Sequence, residues 1–195
     1  MRPPVYFVRH GLTDWNAEGR LQGQAETELS EIGRMQADRN GRLLAELVPD
    51  PENFDFVASP MRRTRVTMER VRAAMGLPPE DYRTDPRLVE LHFGDWQGFT
   101  LAELEARVPG STEPRMRDKW RFLPPGAGAE SYEMLARRFA PWLEELERPT
   151  ICVTHGGIVR CVFHLVEGMP GEEAAGMLVP QDQLLELRDG RLSWR

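Results

Sequence analysis

Apolar residues in this chain fall into short blocks, and each block ends abruptly in polar residues. Val5-Tyr6-Phe7-Val8, Phe54-Asp55-Phe56-Val57-Ala58 and Thr150-Ile151-Cys152-Val153-Thr154 are compact, β-prone runs, and their length and composition predict strands. Tyr82 to Leu88 predicts a further strand ending at Glu90. Between these runs the apolar period changes to that of a helix. Ser30-Glu31 opens a helical pattern that runs to Leu47 and is closed by Pro49. A second helix follows Ser59-Pro60-Met61-Arg62-Arg63-Thr64 and continues to Ala74, where Gly76 and Pro78 stop it. Glu130 to Leu146 and Ile158 to about Val166 read as two more helices. Leu184–Leu187 and Leu192–Trp194, joined by Asp189-Gly190, predict a terminal β-hairpin. Leu12 to about Thr27 reads as a polar loop. The stretch from Phe93 to Pro125 is mixed, with one helix near Leu101–Arg107.

Strands alternating with helices predict an α/β fold, a three-layer α/β/α sandwich with a mostly parallel central sheet. The 195 residues suit a single domain, 1–195, with residues 95–130 as a lid or substrate-specificity insertion. In such sheets ligands bind beyond the carboxyl ends of the strands. Arg9-His10-Gly11, Arg62-Arg63, Glu90 and His155-Gly156 all follow predicted strands, so four clusters distant in sequence are expected on one edge.

Composition narrows the partners. A net charge of −6 argues against a nucleic-acid footprint. No run of 18 apolar residues occurs, so no membrane span is expected. The opening Met1-Arg2-Pro3-Pro4 carries no secretory signature, which makes the cytoplasm the expected compartment. Cys152 and Cys161 sit in apolar runs and are expected as reduced core residues. Lys119 is the single lysine, so positive charge is nearly all arginine, whose planar fork matches phosphate oxygens two at a time.

Two histidines, two arginines and a glutamate form a coherent set for phosphoryl transfer. Arginine forks and helix N-termini neutralise a phosphate. A histidine nitrogen is a competent nucleophile once its other nitrogen is fixed by a hydrogen bond. A carboxyl group can protonate the leaving alcohol and then activate water. Nothing in this set calls for a metal or a cofactor.

The motifs themselves are more specific. Val8-Arg9-His10-Gly11-Leu12-Thr13-Asp14-Trp15-Asn16 resembles the opening motif of the histidine phosphatase superfamily, branch 1, which includes the cofactor-dependent phosphoglycerate mutases. Four more pieces follow in family order: Leu21-Gln22-Gly23 through Gln36-Ala37, Ser59 through Thr67, Glu90 through Gly98, and Thr154-His155-Gly156-Gly157. The resemblance runs from about Val5 to Val166 and implies a phosphoglycerate mutase-like fold. It implies that His10 is the phosphorylated nucleophile and Glu90 the acid and base. Arg9, Arg63 and His155 would hold the transferring phosphoryl group. It places Asn16 at a phosphate-contacting position, with Thr13, Gln22, Gly23 and Gly156 lining the pocket. Arg62 reads as a solvated helix-start residue, and His92 and His164 as structural. Glu26, Glu28 and the loose Gly126–Ser131 segment depart from the family pattern.

The expected activity is metal-independent hydrolysis of a small-molecule phosphate monoester. The stretch between Glu90 and His155 is shorter than in the mutases, which favours hydrolysis over a mutase reaction. A non-catalytic, phospholigand-binding relative is the remaining alternative. Arg115 to Arg121 is basic and reads either as a second anion contact or as a solvated helix face with Glu113 and Asp118 as counter-charges. The chain is expected as a monomer or a homodimer, the apolar hairpin serving as a core strand or pairing across a dimer.

Overall fold

A computed structural model describes residues 2–195. In chain order the elements are β1 (Val5–Arg9), α1 (Asp14–Ala17), α2 (Glu31–Leu47), β2 (Asp55–Ala58), α3 (Arg62–Ala74), β3 (Arg83–Thr84), α4 (Leu101–Arg107) and α5 (Glu113–Arg117). They continue with α6 (Tyr132–Glu144), β4 (Thr150–Thr154), α7 (Gly156–Glu167), α8 (Gly171–Gly176), β5 (Leu184–Arg188) and β6 (Arg191–Trp194). The sheet order is β3-β2-β4-β1-β5-β6. β1, β2, β3 and β4 pair in parallel, whereas β5 runs antiparallel to β1, and β6 to β5. This is the expected mostly parallel α/β sandwich.

Alternation along the strands divides the core in two. Tyr6 and Val8 of β1, Phe56 and Ala58 of β2, and Ile151 and Val153 of β4 pack with Leu44 of α2 and Met68 and Val71 of α3. Their neighbours Phe7, Val57 and Cys152 point to the other face, against Phe139, Trp142, Ile158 and Val162 of α6 and α7. Because successive side chains point to opposite faces, a strand covered on both sides must be apolar throughout. That is why β1 and β4 are the plainest blocks in the sequence. Cys152 and Cys161 are both buried free thiols.

The segment expected as a strand from Tyr82 to Leu88 is cut to two residues. Pro86 has no N–H to give a ladder, and the Asp85 carboxylate caps a short 3₁₀ turn at Pro86–Leu88 by accepting from Arg87 N at 2.9 Å. The Leu12–Thr27 loop contains the short α1, and α8 appears where no helix is anticipated. α7 starts two residues earlier than its apolar pattern, at Gly156. The hairpin strand β5 is taken up by β1, with Val5 opposite Leu187 and Val8 opposite Leu184. It is therefore a core strand, and β6 forms the edge of the sheet.

The parallel register sets the location of the site. Arg9 pairs with Thr154, and Ala58 with Val153. The residues just beyond these ends, His10, His155 and Ser59, thus emerge side by side, with His10 N donating to Thr154 O and Ser59 N to Val153 O.

Candidate active site

His10 leaves β1 into a tightly packed turn. A Cβ on Gly11 would lie 2.1 Å from Gly33 O, so only glycine lets the loop after β1 meet the start of α2. Ser30 caps α2 by accepting from Gly33 N and donates to Leu12 O, which ties the loop to that helix end. His10 is buried, and its Nδ1 lies 2.8 Å from Gly11 O. A carbonyl only accepts, so Nδ1 carries the proton and the neutral ring keeps its lone pair on Nε2. Burial, then the charges of Arg63 and Arg9, lower the His10 pKa well below 6.5. The ring is therefore neutral at neutral pH.

His155 is fully buried, with its ring centroid 5.2 Å from that of His10. Its Nε2 lies 2.8 Å from Ser59 Oγ, while its Nδ1 has no partner. Burial first, then Arg63, His10 and Arg9, lower its pKa well below 6.5 as well.

The two arginines are held by backbone carbonyls. Arg9 Nη1 donates to Val179 O at 2.6 Å. Arg63, at the start of α3, donates to Ala25 O at 2.8 Å and Gly23 O at 2.7 Å. The Nε of each is buried without a partner. Burial, then Arg160, lowers the Arg9 pKa to about 10, so both guanidiniums remain charged at neutral pH.

Glu90 is locked by backbone. Its Oε1 accepts from Leu91 N at 2.8 Å, and its Oε2 from Gly157 N at 3.1 Å in the first turn of α7. From α6, Arg138 holds the carbonyls of Arg87, Val89 and Glu90 and is itself paired with Glu130 at 2.9 Å. A Cβ on Gly157 would stand 2.0 Å from Glu90 Oε1, so glycine is required there too.

Arg9, His10, Asn16, Gln22, Gly23, Arg63 and Glu90 line one cleft of about 200 Å³. His155 stands behind them against His10. Gly156 opens α7, where a Cβ would lie 3.4 Å from the guanidiniums of Arg9 and Arg160. Thr13 is not on the cleft wall: it is fully buried and caps α1, accepting from Asn16 N at 3.1 Å. Asn16 Oδ1 also accepts from Gln181 Nε2, which donates in addition to His10 O. Arg62 is exposed and paired with Glu28, while its N–H donates to Glu26. His92 Nδ1 accepts from Gly94 N, and His164 packs on Trp120. Among the described residues, no three His, Cys, Asp or Glu side chains group as a metal-ligand set. No helix among them is long and apolar enough to cross a membrane.

Three lining residues lie outside the motifs: Arg20, Tyr132 and Arg160. Arg160 is the only arginine or lysine of α7, and that isolation was the available signal. Two more, Arg115 and Lys119, come from the ambiguous basic stretch, which the fold divides. Arg117 and Arg121 pair with Glu113 at 2.8 Å and Asp118 at 3.5 Å, as a solvated face would. Arg115 and Lys119 turn into the cleft.

The chain is similar to known phosphatases over most of its length. It is 37% identical over 181 residues to a glucosyl-3-phosphoglycerate phosphatase of Mycobacterium tuberculosis, covering 85% of this chain and 76% of that protein. It is 32% identical over 166 residues to phosphoglycerate mutase-like protein 4 of Arabidopsis thaliana, covering 82% and 69%. The solved structure of a mycobacterial glucosyl-3-phosphoglycerate phosphatase in complex with VO3 superposes with a TM-score of 0.79 at 32% identity, covering 100% of this chain and 96% of that one. A family model for the histidine phosphatase superfamily, branch 1, matches residues 5–191, and the chain belongs to that family.

Proposed function

We propose that this protein hydrolyses phosphate monoesters of small molecules through a covalent phosphohistidine on His10. The observation that carries this reading is a pair of buried donors without partners, Arg9 Nε and Arg63 Nε, gathered with the unpartnered ring nitrogen His155 Nδ1 around a neutral imidazole with its Nε2 lone pair free. A buried donor with no acceptor costs about 1–3 kcal/mol. A tetrahedral oxyanion seated against these donors removes that cost at each of them.

The chemistry follows in two displacements. Arg9, Arg63 and His155 hold the phosphoryl oxygens, and the N-terminus of α7 adds favourable dipole charge. His10 Nε2 attacks phosphorus, and the bond to the leaving oxygen breaks. As the ring becomes cationic, its Nδ1–H to Gly11 O hydrogen bond strengthens. Glu90 gives a proton to the departing alkoxide, and its carboxylate then takes one from water, which attacks the phosphohistidine and frees inorganic phosphate. Charge neutralisation here is done by arginine, so no metal enters either step. The relatives named above as phosphatases support hydrolysis as the outcome.

A screen of p-nitrophenyl phosphate and metabolite monoesters in excess EDTA, beside His10→Ala, tests this reading. The expected result is phosphate release that disappears in the variant. Isomerised ester without free phosphate would point to a mutase, and substantial turnover by His10→Ala would refute the nucleophile.

A further inference from the structure

One side chain outside the sequence motifs reaches the nucleophile from near the end of the chain. Because β5 runs antiparallel to β1, with Val8 opposite Leu184, the residues just before β5 pass alongside His10. That lead-in is held at two points. Val179 O accepts from Arg9 Nη1 at 2.6 Å, and Gln181 O accepts from Asn40 Nδ2 of α2 at 3.1 Å. Gln181 is buried, and its Nε2 donates to His10 O at 3.0 Å and to Asn16 Oδ1 at 3.1 Å. Both of its amide hydrogens are thereby used.

These contacts fix which way round both amides sit. A carbonyl oxygen only accepts, so the Gln181 atom facing His10 O must be the nitrogen. A backbone N–H only donates, so the Asn16 atom 3.3 Å from Thr13 N must be the oxygen. That oxygen also takes the Thr13 hydroxyl at 3.1 Å, which with Gln181 brings its donors to three. The Asn16 nitrogen is the end left to face the cleft, whose wall Asn16 helps to form. Thr13 and Asn16 belong to one short capped turn and move together. Gln181 is the hydrogen-bonded link between the Asn16 amide and the nucleophile's own carbonyl.

We infer that Gln181 is a positioning residue: it locks the Asn16 amide to the His10 carbonyl, so that Asn16 Nδ2 points as a donor at a phosphoryl oxygen while His10 Nε2 attacks. This rests on the phosphoryl-transfer reading above and adds to it a residue that touches no reacting atom. Without that lock the Asn16 amide is free to turn over and present its oxygen, which repels the oxygens of a phosphate. The Arg9 contact with Val179 O comes from the same lead-in. The segment before β5 therefore registers a guanidinium, the nucleophile and the Asn16 amide against one another.

Two measurements test it. The first is a double-mutant cycle on kcat/KM for p-nitrophenyl phosphate, with Gln181→Leu, Asn16→Ala and the pair, each checked for fold by circular dichroism. Gln181→Leu should lose about tenfold to a hundredfold, the range for misdirecting one hydrogen bond to a charged group. In the Asn16→Ala background the same substitution should cost less than about threefold, because the amide it positions is gone. Losses that simply multiply would show a merely structural role and overturn the inference. The second measurement follows side-chain ¹⁵N signals of the wild type during titration with orthovanadate, the Asn16 signal being identified by its absence from Asn16→Ala. The Asn16 Nδ2 signal should move together with the arginine Nε signals of the cleft, and it should move far less in Gln181→Leu. Arginine signals that move while Asn16 does not would overturn the inference in the wild type itself, whether or not the variants fold. No turnover by the wild type, with both sets of signals moving, would refute the hydrolase reading alone. No movement of either would refute the phosphoryl site and the inference together.

Discussion

Gly157→Ala is the sharpest single perturbation of the proposed acid. The new Cβ would stand 2.0 Å from Glu90 Oε1 and 2.9 Å from Leu135 Cδ2. A relaxed carbon–oxygen contact is about 3.3 Å, so the carboxylate must retreat by roughly 1.3 Å. Leu135 is fully buried and closes the other side, so the methyl cannot swing away. The retreat also stretches the 3.1 Å bond from Gly157 N to Glu90 Oε2. A misplacement of about 1 Å costs on the order of 10²-fold in rate, which is about 2.7 kcal/mol. Glu90 is needed most when the leaving oxygen is basic. The loss should therefore be near 10²-fold for an alkyl phosphate and much smaller for the formation step with p-nitrophenyl phosphate, which is read as the burst rate by stopped flow. Equal losses for both leaving groups, or activity within about threefold of wild type on the alkyl ester, would refute the placement of Glu90 as the acid.

Two further outcomes follow from buried charges. Burial raises the Glu186 pKa, but hydrogen bonds from Arg188, Arg195 and Tyr6 outweigh it and hold the value below 4.5. A carboxylate depressed in the folded state stabilises above its unfolded pKa of about 4.5 and loses that contribution as pH falls through the folded value. Glu186→Gln should lower urea stability by about 1–3 kcal/mol at pH 7, with the gap to wild type narrowing below about pH 4.5; a gap constant with pH would contradict this. His10 and His155 should be neutral at pH 6.5 by ¹⁵N NMR, with the proton of His10 on Nδ1. Midpoints at or above 6.5 would show that the site does not hold them as described, because the unfolded chain would then not be the first to take up protons as pH falls.

The sequence revealed the centre of this molecule better than its rim, for physical reasons. β1 and β4 are buried on both faces, so they had to be continuous apolar runs. The polar residues that follow them had to lie on one edge, because parallel strands share direction. Glu90 was legible through its motif, but not the brace from Arg138 and Glu130, which depends on how α6 crosses the end of the sheet. β3 was overread because Pro86 and the Asp85 cap act only locally. Thr13 was placed on the cleft by resemblance, although its hydroxyl closes a capping box with Asn16. The basic stretch was undecidable in sequence. α5 has only five residues, and which arginine meets Glu113 and which meets the cleft depends on where that short helix lies against Tyr132 and Arg160.

The most direct test of the central claim is to quench the wild-type enzyme in alkali during steady turnover of p-nitrophenyl phosphate and to map phosphate by peptide mass spectrometry. The account predicts label on the His10 peptide that is stable in alkali, lost in acid and absent from His10→Ala. Turnover with His10 unlabelled at every quench time, or label on another residue, would contradict it.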